Sequence, residues 1–110
     1  SRVAINQLIK NKVKFDGIFA TNDWRAYGSL IALLENNIEV PKQVKVIGFD
    51  DIFISQSSHP SISTIKQDIP TLAKTASQLL FDLMNDVAIN DEQKRYIIPV
   101  EVIRRDSTKK

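Results

Sequence analysis

The stretch VKVIGFDD, residues 44–51, constrains the fold of this chain more than any other. Its apolar run is too short for a helix and, Lys45 aside, suits a strand that is buried on both faces of a parallel sheet. Gly48, near its end, lets another backbone or a ligand come close. Because open α/β sheets bind ligands outside the carboxyl ends of their strands, Asp50 and Asp51 are candidate binding residues.

A strand, a helix and this second strand form one unit over residues 17–49. GIFAT, residues 17–21, predicts a short buried strand. Three N-cap residue types then follow in the order Thr, Asn, Asp and predict a helix that ends at residue 36 or 37. Such a unit has parallel strands and a right-handed crossover. Asn22 and Asp50 are therefore expected at the same edge of one sheet.

The flanking segments extend this α/β pattern. A helix is predicted over residues 2–12, and ISTI, residues 62–65, predicts a short strand after the polar loop of residues 55–61. Asp68 is the predicted N-cap of a helix that runs to about residue 85. The apolar face of that helix is the clearest helical signal in the sequence.

The C-terminal part is less regular. Residues 88–94 form a predicted polar connection, and YIIPVEVI, residues 96–103, is strand-like. Pro99 cannot donate to a ladder, so this strand should lie at a sheet edge or at a crossing between two sheets. Beyond Ser107 we expect poor order. At the other end, Ser1 precedes an amphipathic pattern without an initiator Met or a signal peptide, which predicts a fragment of a longer protein.

Composition excludes several classes of protein. With 43% apolar and 25% charged residues among 110, the chain belongs to the ordinary soluble class and can bury one core. The absence of cysteine excludes disulfides and thiolate metal sites. A net charge of +2 from dispersed basic residues gives little support to direct binding of nucleic acid. No apolar run is long enough to span a bilayer.

Two chemistries can be weighed against simpler interpretations. His59 lies in a serine-rich loop, but the sequence has no GxSxG motif, so we interpret it as a surface or interface residue rather than a base. Asp23, Asp50 and Asp51 could offer oxygen ligands to Mg²⁺, as in a phosphoryl-transfer module. Against this second interpretation, the sequence lacks a glycine-rich phosphate loop.

Recognition of a polyol or a sugar is a third hypothesis. A carboxylate accepts two hydrogen bonds and an Asn side chain both donates and accepts, which matches vicinal hydroxyls, so Asn22 and Asp50 fit such a ligand. Trp24 could cover an apolar sugar face, although a Trp at a helix start is equally a packing residue. Simple capping of the following segments explains Asn22 and Asp50 equally well.

Four ordered motifs, FDGIFATND, VPKQVKVIGFDD, HPSISTIKQD and IPVEVIRRDST, resemble the C-terminal part of LacI-type (LacI/GalR family) bacterial transcription repressors. The resemblance covers nearly the whole chain. Ribose-type periplasmic sugar-binding proteins are similar through the first two motifs and remain the alternative. The PxExIxRxS ending favours the repressors.

This resemblance implies a fold and a division of the chain. The fold is α/β, an open mostly parallel sheet with flanking helices of the periplasmic-binding-protein-like type, and the chain is mainly one lobe. Residues 1–66 would be second-lobe structure, 68–97 a crossing helix and connection of the first lobe, and 98–106 the return strand. The DNA-binding domain would lie outside this chain.

The resemblance also implies partners. Asn22, Asp50 and Gln67 match positions that line an effector cleft for a sugar or sugar phosphate, whereas Trp24 matches no fixed identity. The family dimerises through this lobe, which places five residues near a two-fold contact: Tyr27, Leu30, Ile31, Ser58 and His59. Operator DNA would be read only by the missing helix-turn-helix. The expected protein is a cytoplasmic regulator with no catalytic residue, metal, cofactor or membrane contact.

Overall fold

The computed structural model describes residues 1–85, 87 and 95–109, in which helices alternate with strands. The connection predicted over residues 88–94 lies outside the described residues. The helices are α1 (Arg2–Lys10), α2 (Asp23–Glu35), α3 (Phe53–Ser57) and α4 (Ile69–Met84), the strands are β1 (Gly17–Phe19), β2 (Lys45–Phe49), β3 (Ser63–Gln67) and β4 (Val100–Ile103), and a short 3-10 helix spans Asp106–Thr108.

The strands form one sheet in the order β1-β2-β3-β4. β2 pairs in parallel with β1 and with β3, so that Ile18 lies beside Val46 and Gly48 beside Thr64. The parallel pairing of the VKVIGFDD strand is therefore confirmed. β4 is an edge strand that begins directly after Pro99, which agrees with the expectation that a residue without a backbone donor marks an edge.

The hydrophobic core lies where α1 and α2 pack together and α2 covers β2. Asn22 caps α2 by accepting a hydrogen bond from the backbone of Arg25, and Asn36 and Asn37 follow its last turn, the latter at a φ of 55°. Both ends of this helix are as predicted. The core consists of Ile5, Ala20, Ala26, Leu30, Ala32, Leu33, Val44, Val46 and Ile62.

Three expectations for the later chain were wrong. The predicted polar loop begins inside α3, which extends to Ser57 and in which Ser55 is fully buried. β3 extends to Gln67 instead of ending at residue 65. Poor order was expected beyond Ser107, but Thr108 is held by a hydrogen bond of 2.7 Å that it shares with the Ser63 hydroxyl.

The chain divides into two compact units, residues 1–66 with 101–110 and residues 67–100. In the second unit Asp68 caps α4 through hydrogen bonds from the Thr71 backbone, at 3.1 Å, and from the Thr71 hydroxyl, at 2.7 Å. No residue of α4 is buried. None of the helices in the described ranges is both long enough and apolar enough to cross a membrane.

Candidate functional site

The carboxyl ends of β1 and β2 bring two predicted site residues to one edge of the sheet. Asn22 follows β1 by three residues, and Asp50 follows β2 directly. The two strands are joined just beside this edge, where the Ala20 backbone donates to the Ile47 carbonyl at 2.9 Å. Asp50 is exposed and Asn22 is half-buried, so neither side chain is sealed under protein.

The Asn22 side chain has two functional ends. Its Oδ1 accepts a hydrogen bond of 2.9 Å from the Arg25 backbone, so the capping interpretation is correct for this oxygen. Its Nδ2 makes no hydrogen bond to any residue that the structure describes. The capping oxygen thus fixes the side chain, and the amide donor is available to a ligand.

Asp23 is a structural residue rather than an open ligand. It is fully buried, and its carboxylate accepts from the Thr64 hydroxyl at 2.5 Å and from the Ile52 backbone at 2.8 Å. A side chain at Gly48 would overlap Asp23 Oδ1 and would lie 3.2 Å from the Ala26 Cβ. The close approach permitted by Gly48 is therefore used by the start of α2, not by a ligand.

The turn after β2 has an unusual backbone. Asp50 has a φ of 104° and Asp51 a φ of 55°, in the region that favours glycine. Such conformations cost about 1–3 kcal/mol each and persist only where the surroundings hold them. The Asp50 backbone donates to the Ile65 carbonyl at 2.8 Å and the Asp51 backbone to the Thr64 hydroxyl at 3.4 Å, so β3 holds the turn.

Asp51 forms an ion pair with Arg105. The Arg105 Nη2 lies 2.5 Å from the Asp51 carboxylate, and the two side chains are only 15% and 12% exposed. The Arg105 Nη1 also donates to the Ser55 hydroxyl and to the Ile62 carbonyl, each at 3.0 Å. Sequence reasoning did not predict this ion pair. The two arginines of the RRDST ending offered a cation, but the sequence does not show that it lies close to Asp51.

These contacts correct the magnesium hypothesis. Asp23 is buried with both oxygens bonded, and Asp51 is paired with Arg105, so two of the three proposed carboxylates are already engaged. Among the residues that the structure describes, no group of three or more His, Asp or Glu side chains is arranged to hold a metal ion.

Two aromatic side chains flank the same edge. Trp24, in the first turn of α2, is 63% exposed, so it is not buried in the core that the structure describes, and its role stays a prediction. Phe53, at the start of α3, is 79% exposed and was not predicted as a site residue. Trp24 directly follows Asp23, and Phe53 directly follows Ile52. Because the Ile52 backbone donates a hydrogen bond to the Asp23 carboxylate, the two aromatic residues lie next to residues that are in contact.

The remaining site predictions fare differently. Gln67 is the last residue of β3 and belongs to the second unit, so its role stays a prediction. Leu30 is completely buried in the core and Ser58 is 8% exposed, so these two side chains are not accessible to a second copy. Tyr27 and Ile31 are half-buried. His59 is exposed, as its interpretation as a surface residue required.

Comparison with known proteins decides the family. The model of the periplasmic binding protein-like domain matches residues 2–108. The chain belongs to this family. Among solved structures, the Lac repressor dimer bound to operator and the anti-inducer ONPF is 26% identical with a TM-score of 0.86, and this chain covers 31% of it while 96% of this chain is matched. The predicted fold class, an open sheet of one periplasmic-binding-protein-like lobe, is confirmed.

Curated relatives of this periplasmic-binding-protein-like chain are transcriptional regulators. It is 35% identical to the regulator MalR of Clostridium butyricum over 94% of its own length and 30% of that protein. It is 31% identical to the ribose operon repressor of Lactococcus lactis over 92% of its length and again 30% of the relative. The predicted resemblance to LacI-type regulators is confirmed. The chain spans about 30% of the length of these relatives.

Proposed function

We propose that this chain is the effector-sensing and dimerisation portion of a LacI-type transcription repressor that binds a sugar or a sugar phosphate. The observation that carries the proposal is the placement of Asn22 and Asp50 at adjacent strand ends, with Asp50 exposed and Asn22 half-buried. Ligands of open α/β sheets bind at such an edge. A LacI-family regulator of Arthrobacter, 30% identical with a TM-score of 0.84, was solved in complex with lactose.

The two side chains supply complementary hydrogen bonding. The Asp50 carboxylate accepts from two hydroxyl groups, and the Asn22 Nδ2 donates to a third oxygen. Trp24 can stack on the apolar face of a sugar ring, because it is exposed beside them. Gln67, at the end of β3, would add a further donor and acceptor.

In the longer protein we assign residues 1–66 to the second lobe, 68–97 to a helix and connection of the first lobe, and 98–106 to the return strand. An effector held by both lobes would favour one closure angle and so shift the population that binds operator DNA. Tyr27, Ile31 and His59 would contribute to the contact between two copies. The helix-turn-helix that reads the operator lies outside this chain.

Fluorescence anisotropy of labelled operator DNA with the full-length protein tests the proposal. A panel of lactose, ribose, sucrose, galactose and inorganic phosphate identifies the effector. Asp50→Ala removes the carboxylate, and loss of a charged hydrogen bond should weaken the response about 10- to 100-fold. Asn22→Ser keeps a capping oxygen but removes the amide donor, so it should lose response while retaining stability.

Asp16→Ala is the matched control, because Asp16 is an exposed aspartate before the opposite end of β1. This variant should respond like the unsubstituted protein. An Asp50→Ala variant that responds equally well would remove Asp50 from the effector site and, with it, the proposed function.

A further inference from the structure

We propose that Arg105 is a positioning residue, which acts through Asp51 to hold the turn that presents the Asp50 carboxylate. As far as it concerns the effector, this inference rests on the proposed function. Arg105 and Asp51 are 54 residues apart in the sequence, so the C-terminal segment would control a turn that is distant in the chain. Arg105 itself lies two residues beyond β4.

The turn needs such support. Asp50 and Asp51 are consecutive non-glycine residues with φ values of 104° and 55°. Residues other than glycine rarely adopt these backbone conformations. Two of them in succession persist only where surrounding contacts hold the turn. Strain of this kind at an exposed carboxylate points to a functional requirement for the position of that carboxylate.

Neutral hydrogen bonds from β3 hold the backbone of the turn. Asp50 N–H is bonded to the Ile65 carbonyl and Asp51 N–H to the Thr64 hydroxyl, the latter long at 3.4 Å. The Asp51 side chain is held by the Arg105 guanidinium at 2.5 Å. A charge-assisted contact is stronger than a neutral one, so Arg105 supplies the firmest restraint on Asp51.

Arg105 is itself fixed at both ends. Its backbone N–H donates to the Ser63 hydroxyl at 2.8 Å, and its second guanidinium nitrogen bonds Ser55 and the Ile62 carbonyl. Three guanidinium contacts in different directions require a planar fork, which a lysine ammonium cannot reproduce. Arg105 therefore connects β3, α3 and the turn through hydrogen bonds in fixed directions.

Arg105 and Asp51 depend on each other because both side chains are largely buried. At 15% and 12% exposure, removal of either charge leaves the other one poorly solvated and without its partner. We expect the turn to lose its restraint before the core does, because the ion pair holds the Asp51 side chain directly, whereas the guanidinium reaches the core through its hydrogen bond to the Ile62 carbonyl.

Hydrogen exchange of the full-length protein, followed by mass spectrometry without any ligand, tests the positioning role. The variants are Arg105→Gln, Arg105→Lys and Asp51→Asn, with Arg104→Gln as the matched control at the exposed neighbouring arginine. Amides of residues 50–52 should exchange at least about tenfold faster in the first three variants, and those of α2 should not change. Arg104→Gln should match the unsubstituted protein.

A double variant separates positioning from general destabilisation. If Arg105 acts through Asp51, exchange of residues 50–52 in Arg105→Gln with Asp51→Asn should be no faster than in the faster single variant. Unchanged exchange at 50–52 in Arg105→Gln, additive effects in the double variant, or equal acceleration in α2 would each overturn the inference. Arg105→Lys serves where Arg105→Gln does not fold.

The operator assay then keeps the two proposals distinguishable. Arg105→Gln should weaken the effector response, as Asp50→Ala does, and leave operator affinity without effector unchanged. A normal response of Asp50→Ala would end the proposed effector role of Asp50, whereas the exchange result would still decide whether Arg105 holds the turn. Faster exchange at 50–52 with a normal effector response would contradict the link between Arg105 and the presentation of Asp50.

Discussion

The two long helices, α2 and α4, have similar N-caps but differ in how much of each is buried. Each has an N-cap side chain that accepts a hydrogen bond from the backbone three residues on, Asn22 from Arg25 and Asp68 from Thr71. Each carries an apolar stripe. Six residues of α2 are buried and none of α4 is, so that Leu80 is 58% exposed and Leu33 is fully covered.

This contrast shows that an amphipathic pattern and a cap specify a helix but not what covers it. α2 packs on β2 and α1, which come from the same chain. Within the residues that the structure describes, no residue of α4 is buried, and exposed apolar area costs about 25 cal/mol per Å². We propose that the first lobe of the longer protein covers the apolar side of α4.

Shortening one leucine in each helix should give the largest difference between them. Leu33→Ala leaves a cavity in the core and should lower the free energy of unfolding by about 2–5 kcal/mol. Leu80→Ala removes exposed atoms and should change it by less than about 0.5 kcal/mol. Urea unfolding of the 110-residue chain, followed by fluorescence of its single Trp24, measures both. Equal losses would show that α4 is packed as α2 is.

The contact between β2 and the start of α2 should give the next largest effect. Gly48→Ala pushes a Cβ against Asp23 and should cost about 1–3 kcal/mol. Gly17→Ala is the control, because a Cβ there meets nothing within 4 Å. The same urea titration should find it within about 0.5 kcal/mol of the unsubstituted chain. A stable Gly48→Ala variant would mean that Asp23 is not held as the structure shows.

The two helix caps should have smaller and different effects. Asn22→Ala should lower the free energy of unfolding by about 1 kcal/mol, because α2 is part of the cooperative core. Asp68→Ala should reduce the helical circular dichroism of α4 and leave the Trp24 transition unchanged, because α4 lies in the other unit. A shift of the Trp24 transition by Asp68→Ala would indicate that the two units unfold together.

The smallest expected effect concerns Asp106 in the C-terminal segment. A hydrogen bond from the Ser61 hydroxyl, with a further one from Lys109, holds the pKa of Asp106 below its ordinary value of 3.8. Its contribution to stability is therefore present above pH 3.8 and lost as the pH falls through the lower folded pKa. Asp106→Asn should unfold with less pH dependence between pH 4 and pH 2, within a small range because the group is exposed. Identical pH profiles would contradict this role.

The sequence predicted the elements whose signals are local. The strand before Asp50, the helix between Asn22 and Asn36, and the cap of α4 by Asp68 all depend on residues that are close in the chain. α3 was missed because buried serines such as Ser55 look like those of a polar loop.

The sequence could not predict contacts between distant segments. Asp23 has the residue type of a cap or a metal ligand, and only the packing of α2 on β2 and β3 shows that it is a buried acceptor. Nothing in the sequence near Ser107 indicates its partners, yet its hydroxyl donates to the Val46 carbonyl and accepts from the Ser63 backbone. The exposed edge with Asn22 and Asp50 was predictable because parallel strands fix which ends meet.

Calorimetric titration of the full-length protein with the sugar that releases or recruits operator DNA tests the effector site most directly. We predict that Asp50→Ala raises the dissociation constant about 10- to 100-fold and that Asp16→Ala leaves it unchanged. Equal dissociation constants for the Asp50→Ala and unsubstituted proteins would contradict the assignment of this sheet edge as the place where the effector binds.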